Sequence, residues 1–490
     1  MTQNQQVADY KLGSDVTDLL ETVINGSYCI GCGACAAISD SPLKMQLDEY
    51  GKLQAAIDPS LDASFVTNSV QSVCPFSNKS LNEDQISQPL FSNNGKYHDK
   101  IGYHLATYAG YVLEKDFRDR GSSGGMGTWI VSNLLSQGLV DGVIHVHQRH
   151  PSKSDPRLFS YQLSTTIEQV HNGAKSRYYP IEMSEVIQLI RERPGNYAIV
   201  GIPCFIKAVR LLMLQDPVLA ERIKFCVALI CGHLKSMRFA EMFAWQAGIA
   251  PGNLLAIDFR KKLPDADANR YGVEVTGIQQ DGQIATHIMP VRDLYGTDWG
   301  LGFFKYKACD YCDDVVGETA DVTVGDAWLP QYVKDSKGTN VVVVRHPAIN
   351  EIIEGAMNAG QLKLDRISAD EVAQSQKSGF QHRREGLAYR LHLTDLKGEW
   401  RPQKRVQPKA NHLNKTLKER QDLRVVLAAD SHVAFKDAVD AGEFSLFQQQ
   451  LDPIVQRYQK LYRQEPLWRR VARRIKQVLV NMFGALHLRH

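Results

Sequence analysis

The stretch Tyr28-Cys29-Ile30-Gly31-Cys32-Gly33-Ala34-Cys35 sets three thiols at three-residue intervals with glycines between them. Thiols this close together share one tight loop, and glycine supplies the backbone freedom such a loop needs. Nine cysteines occur in the 490 residues. Eight sort into two quartets, the first being Cys29, Cys32 and Cys35 completed by Cys74, which Pro75 follows directly. C-x-x-C-x-x-C with a remote C-P is the spacing of an iron–sulfur site, because four soft thiolates must converge on the corners of one core and a short loop can supply three. Zinc is the rival, usually held by two separated pairs. A disulfide framework needs an exported chain, and Met1 to Ser14 is polar, without an apolar leader or cleavage signal.

The remaining composition is that of a cytoplasmic enzyme: 43% apolar, 23% charged, and long enough for two or three domains with substantial cores. A net charge of +3 gives no global case for nucleic acid. No apolar run approaches the roughly 20 residues that span a bilayer.

Residues 1–80 read as a small cluster-binding module: a helix over Val16 to Val23, a hairpin from Leu43 to Ile57 turning at Glu49-Tyr50-Gly51-Lys52, and a helix from Val66 to Val73 that returns Cys74 to the loop. Ser80 to Lys100, rich in Asn, Ser and Gln, reads as a linker. A strand over Leu105 to Leu113 then leads to Gly121-Ser122-Ser123-Gly124-Gly125-Met126-Gly127-Thr128, a helix over Trp129 to Leu135 and a strand over Val140 to Val146. A glycine-rich loop opening a helix can bring backbone N–H groups to a phosphate, where the helix dipole favours negative charge. This one matches neither G-x-G-x-x-G nor a Walker loop, so a plain turn is the alternative. Lys175-Ser176-Arg177-Tyr178-Tyr179 offers cations and rings for a phosphate or a heterocycle, or else a solvated loop.

From Asn196 the pattern is α/β. Tyr197 to Ile202 is a strand, Phe205 to Gln215 a helix and Phe225 to Ile230 a second strand, the size of a βαβ crossover that lays the strands parallel. Cys204 and Cys231 then emerge at one sheet edge, each where a helix begins, with the dipole drawing its thiol toward thiolate. Cys309 and Cys312 complete a second quartet, while Cys226, in mid-strand, fits core packing. Two further strands hold Asp321 to Trp328 and Asn340 to Arg345. Asp326 and Trp328 at a strand end suit a carboxylate holding a ribityl hydroxyl or a proton and an indole that stacks; a capped turn explains Asp326 equally well.

Cys29 to Cys35, Cys74-Pro75, Ser122 to Thr128, Gly201-Ile202-Pro203-Cys204, Cys231-Gly232-His233, Asp258-Phe259-Arg260, Cys309 to Cys312 and Gly325-Asp326-Ala327-Trp328, taken in order, resemble the beta subunits of coenzyme F420 (deazaflavin) hydrogenases and dehydrogenases and their relatives. The resemblance implies an α/β protein: a ferredoxin-like iron–sulfur module and a mixed α/β FAD-binding core divided at 96–190 and 191–366; from about Ile367 the match fades, and 367–490 reads as a helical, basic extension. It implies FAD, its phosphates lined by Ser122, Ser123, Gly124, Gly125 and Thr128 with Lys175 and Ser176 nearby, and one 4Fe-4S cluster or two. It further implies an oxidoreductase passing electrons between clusters and flavin, with ferredoxin or deazaflavin as donor and a small organic molecule as substrate. Two alternatives stand beside it: an electron-transfer subunit serving a catalytic partner, and a non-catalytic metal-stabilised scaffold. Where the family more often shows His-Gly after the cysteine, this chain reads Gly232-His233, so the resemblance gives His233 no role.

Between Val455 and His490 there are nine Lys and Arg against Glu465 alone, with Trp468, Val471, Ile475, Val478, Leu479, Met482, Phe483 and Leu486 at helical intervals. A basic amphipathic helix of this kind lies on an anionic membrane surface or packs on protein.

Overall fold

The computed structural model describes residues 13–60, 69–152, 154–264 and 266–463. The first hairpin is as the alternation of Leu43, Met45 and Leu47 suggests: β1 (Leu43–Leu47) pairs antiparallel with β2 (Leu53–Ile57). Its turn is fixed by the Asp48 carboxylate, which accepts from the N–H groups of Tyr50 and Lys52 at 3.0 and 2.8 Å. Of the helix expected before Cys74, Val66 to Asn68 lie outside the described residues, and Val70 to Val73 form turns rather than a helix. The expected linker is also structured. Asn82 and Gln85 close a capping box that starts a helix over Glu83–Phe91, a signal hidden by the polar composition. The hairpin of β3 (Lys96–His98) and β4 (Gly102–His104) follows.

The main sheet takes up β5 (Ala106–Val112), β6 (Gly142–Gln148), β7 (Phe159–Ser164), β8 (Tyr197–Gly201) and β9 (Ile223–Leu229). The chain then leaves it for a separate antiparallel sheet of β10 (Leu254–Lys261), β11 (Gly272–Ile278) and β12 (Ile284–Pro290). It returns with β13 (Val322–Asp326), β14 (Asn340–Val344) and β15 (Leu362–Arg366). The eight strands stand in the order β15-β5-β14-β13-β9-β8-β6-β7. β6, β8, β9 and β13 run parallel, and β14 is antiparallel to both β13 and β5. The βαβ unit expected around Cys204 is therefore present, and Cys226 is fully buried in β9. β14 is buried along its whole length, which its run of valines suits, since a strand covered on both faces needs no alternation.

Helices Met126–Ser136 and Pro347–Asn358 cover one face of the sheet through Ile130, Leu134, Ile349 and Ile353. On the other face helices Ser184–Glu192 and Pro203–Gln215 share one core with the N-terminal cysteine segment, in which Val16, Leu19, Ile30 and Val73 pack with Phe205, Leu212 and Leu391. The chain after β15 is mostly helical. A rod from Lys377 to Leu396 contains a π-helical stretch over Gln381–Gly386, and the helices Lys415–Ala441 and Phe444–Arg463 fold back on each other at Gly442, with φ of 70°. These two pack through Leu427, Phe435, Phe447 and Leu451 on the sheet of β10 to β12 and its helix Arg238–Gln246. Val455, Tyr458 and Leu461 are buried there, so the start of the basic segment packs on protein; its remainder, residues 464–490, lies outside the described residues. Among the described residues no helix is long and apolar enough to cross a membrane.

Candidate functional site

All nine cysteines are free thiols. The loop that carries Cys29, Cys32 and Cys35 is pinned by two close approaches: Gly31 and Gly33 have φ of 67° and 83°, and a Cβ on them would stand 2.4 Å from the Leu53 carbonyl and 2.6 Å from the Glu182 carboxylate. The Gly31 N–H donates to the Cys29 sulfur at 3.4 Å. Cys74 is brought in by a turn tied to the first helix, where Asp15 accepts from the backbone and side-chain N–H groups of Gln71 at 3.1 Å each. The four thiols lie close enough together to act on one another. Burial holds Cys35 well above the usual thiol range, and the nearby Cys29, Cys32 and Cys74 hold it higher still.

The second quartet also converges. Cys204 lies one residue into the helix Pro203–Gln215, Cys231 just beyond β9, and Cys309 and Cys312 on and beside the 3-10 turn Lys307–Tyr311. All four open on one small apolar cavity closed by Ile30, Phe76, Ile202, Pro203, Leu234 and Arg383. The Leu234 N–H donates to the Cys309 sulfur at 3.3 Å. Two expectations need correction. No helix begins at Cys231, since the next one starts at Arg238. The dipole does not win at Cys204 either, because burial outweighs it and pushes the thiol well up. Metal ligation would release these protons, as thiolate binding does.

Among the described residues no three Cys, His, Asp or Glu side chains stand close enough to hold a single ion. Thiolates on one zinc sit about 3.8 Å apart, from Zn–S bonds of about 2.3 Å. A four-iron core fills the space between its ligands and spaces them more widely, so neighbouring thiols and the lack of a single-ion site among the described residues are compatible.

At the carboxyl ends of β6, β8, β9 and β13 lies a crevice of about 260 Å³. Open α/β sheets bind ligands at this edge. Of the residues expected around a flavin, Ser122, Ser123, Gly125, Thr128, Lys175 and Ser176 all line it. Gly124 does not: it is pressed beneath the loop, where a Cβ would meet the Gly110 carbonyl at 2.7 Å and Asn340 Oδ1 at 2.8 Å. Gly125, at φ 88°, caps the helix Met126–Ser136, whose first turn therefore presents N–H groups to the crevice. The Ser176 N–H donates to Ser122 Oγ at 2.9 Å, and Lys175 pairs with Asp258 at 3.0 Å.

Asp326 lines the crevice, but its carboxylate is engaged by Arg260, at 3.0 Å. Trp328 is not among the residues that line the crevice, and its ring centre lies 5.6 Å from the Arg260 guanidinium. His145 is buried in the wall and shares contacts of 2.9 Å with Ser164 Oγ and His147 Nε2, whereas His150 is exposed. Sequence reasoning also missed Asn340, Lys235 and His233 on the wall; a lone Asn at a strand start or a Lys in a polar turn carries no pattern. The His233 Nε2 is buried without a hydrogen-bond partner, and burial pushes its imidazole well down toward the neutral form. Cys231 lines both the crevice and the cysteine cavity. Cys204 in turn lies near Cys32, which connects the two quartets.

Two family patterns match the chain, both from the beta subunit of coenzyme F420 hydrogenase/dehydrogenase: its N-terminal part over residues 107–188, and its C-terminal part over residues 195–370. These spans hold the crevice and the second quartet; Cys29, Cys32, Cys35 and Cys74 precede them. An uncharacterized protein of Methanocaldococcus jannaschii is 25% identical over 347 residues, covering 60% of this chain and 91% of that relative. A chain in the xenon-derivatized F420-reducing nickel–iron hydrogenase complex from Methanosarcina barkeri aligns with a TM-score of 0.45 and 17% identity, over 65% of this chain and 100% of that one.

Proposed function

The chain belongs to the coenzyme F420 hydrogenase/dehydrogenase beta-subunit family, a family of electron-transferring oxidoreductases, and on that premise we propose that it moves electrons between two 4Fe-4S clusters and an FAD held in the crevice. The observation that carries this reading is Cys231, which faces the cysteine cavity on one side and the crevice on the other. Flavin bound there would exchange single electrons with clusters and electron pairs with an organic partner.

The chain's own residues suit such a cofactor. Ser122, Ser123, Gly125, Thr128, Lys175 and Ser176, with the first turn of Met126–Ser136, offer hydroxyls, N–H groups and one cation to a diphosphate. Tyr178 and the apolar edges of Val200, Ile202 and Leu229 give a ring system a dry wall that excludes water. His233, neutral and with a free ring nitrogen, can hydrogen-bond a ligand beside Cys231. Clusters are assigned to the quartets Cys29, Cys32, Cys35, Cys74 and Cys204, Cys231, Cys309, Cys312. The one-electron partner is a ferredoxin-type protein or a catalytic subunit, and the two-electron partner a small organic molecule reaching the crevice.

Anaerobic purification with flavin, iron and sulfide counted together tests this. The expected result is a brown protein with about one FAD and about eight irons per chain, two four-iron clusters. A colourless chain after reconstitution, or zinc in place of iron, would reject it.

A further inference from the structure

Arg383 is 2% exposed and forms part of the wall of the apolar cavity on which Cys204, Cys231, Cys309 and Cys312 open. Its guanidinium donates to the carbonyl of Asp314, two residues past Cys312, and to that of Gly232, next to Cys231, at 2.7 Å. Its charge acts on the thiols of Cys231, Cys309 and Cys312. Neighbouring arginines of the same rod have carboxylates, Glu318 at 3.3 Å from Arg384 and Asp310 at 3.8 Å from Arg390; among the described residues none pairs with Arg383. A guanidinium out of water without a counter-anion is costly, and neutral thiols do not offset that cost. Four thiolates around an iron–sulfur core do, because the assembly carries net negative charge.

Among the described residues the first quartet lacks such a group. The cations near it are already paired, Lys52 with Asp48 at 3.4 Å and Lys207 with Glu83 at 3.2 Å. The π-helical stretch that carries Arg383 is a local departure of the kind found at functional sites, and it lies beyond residue 370, where the family match ends.

We infer that Arg383 is the positioning counter-cation of the second quartet and sets a cluster bound there at a higher potential than one bound at Cys29, Cys32, Cys35 and Cys74. Reduction adds one negative charge, and a fixed cation in a dry cavity stabilises the reduced form more than the oxidised one. With clusters held by the two quartets, one electron from a ferredoxin-class donor would reduce the one at Cys29, Cys32, Cys35 and Cys74 and pass from it, leaving it oxidised again, to the one at Cys204, Cys231, Cys309 and Cys312 beside the crevice. The inference rests on the cluster reading above.

The test is an anaerobic redox titration of the full-length holoprotein followed by electron paramagnetic resonance, with iron counted. The chain with Cys35→Ala, which removes one ligand of the first quartet, assigns the second cluster's signal. In Arg383→Gln the second cluster is expected to become at least tenfold harder to reduce, about 59 mV for a one-electron couple, with the first unmoved. Arg383→Lys is expected to keep most of the wild-type potential. The inference is overturned by an unmoved second cluster in Arg383→Gln, by an equal shift in both clusters, or by a wild-type second cluster that is reduced less readily than the first. If Arg383→Gln does not retain iron, Arg383→Lys decides: a near-native potential supports the inference, and a tenfold loss with both clusters present overturns it. Fewer than two clusters in the wild-type protein would instead reject the cluster reading, and this inference with it.

Discussion

Arg260 donates to both carboxylate oxygens of Asp326, at 3.0 and 3.3 Å, and so joins the second sheet to the carboxyl end of β13 at the crevice. Arg260 is 4% exposed and also stacks on Tyr271, 4.2 Å from the ring centre. Removing one partner of a buried pair leaves the other uncompensated, so Arg260→Ala is expected to lower stability by about 3 kcal/mol. Arg260→Lys should recover only part of that, because an ammonium cannot make the two-pronged contact or the stack. Urea unfolding of the three proteins measures both effects; an Arg260→Ala protein as stable as the parent would show that the pair contributes nothing.

Asn340 locks the glycine loop to the sheet. Its Oδ1 accepts from the Met126 N–H at 3.0 Å in buried surroundings, and its Nδ2 donates to the Gly325 carbonyl at 2.9 Å in partly buried ones. Asn340→Ala leaves two backbone groups without partners, at about 1 to 3 kcal/mol each. The helix start loosens with them, so flavin content of the purified protein should fall further than iron content. Equal loss of both would mean general unfolding rather than a loosened loop.

Acid should destabilise the protein through His145. Burial first, then the neighbouring His147, lowers its pKa from 6.5 to about 3. The unfolded chain takes up a proton below 6.5 that the folded one refuses until about 3, so the stability is fully present above 6.5 and shrinks as pH falls through that window. At pH 5.5 the loss from this one group is about 1.4 kcal/mol. Denaturation midpoints at pH 7.5 and 5.5 should therefore separate more in the parent than in His145→Gln; equal separations would remove the buried imidazole from the account.

Where the sequence was legible, the chemistry was local. The cysteine spacing, the hairpin around Gly51 and the crossover around Cys204 each rest on residues near one another in the chain, and each has its counterpart in the fold. What escaped was decided by distant contacts. Arg383 meets Cys231 across about 150 residues, and nothing in Gln-His-Arg-Arg marks one arginine as buried. Nothing in the sequence marks His145 as buried, because β6 ends in His-Val-His-Gln, an alternation whose inward face only the pairing with β7 fixes. The Glu83–Phe91 helix was lost to polar composition although its capping box was visible.

Gly127 separates stability from ligand binding. It sits in the first turn of Met126–Ser136 and lines the crevice, and a Cβ there would meet only Leu229 Cδ2, at 3.8 Å, so the methyl of Gly127→Ala enters open crevice. Alanine is the better helix former, which should raise stability by about 0.5 to 1 kcal/mol. The same methyl stands where a phosphate would approach the helix N–H groups, and affinity for added FAD should fall at least tenfold. Gly124→Ala differs: its Cβ would collide with the Gly110 carbonyl and with Asn340 Oδ1, costing about 1 to 3 kcal/mol of stability and loosening the Asn340 tie to the helix start, so stability and FAD affinity should fall together. Melting temperature and FAD titration on the two proteins should move in different combinations. Full FAD affinity in Gly127→Ala would place the diphosphate elsewhere.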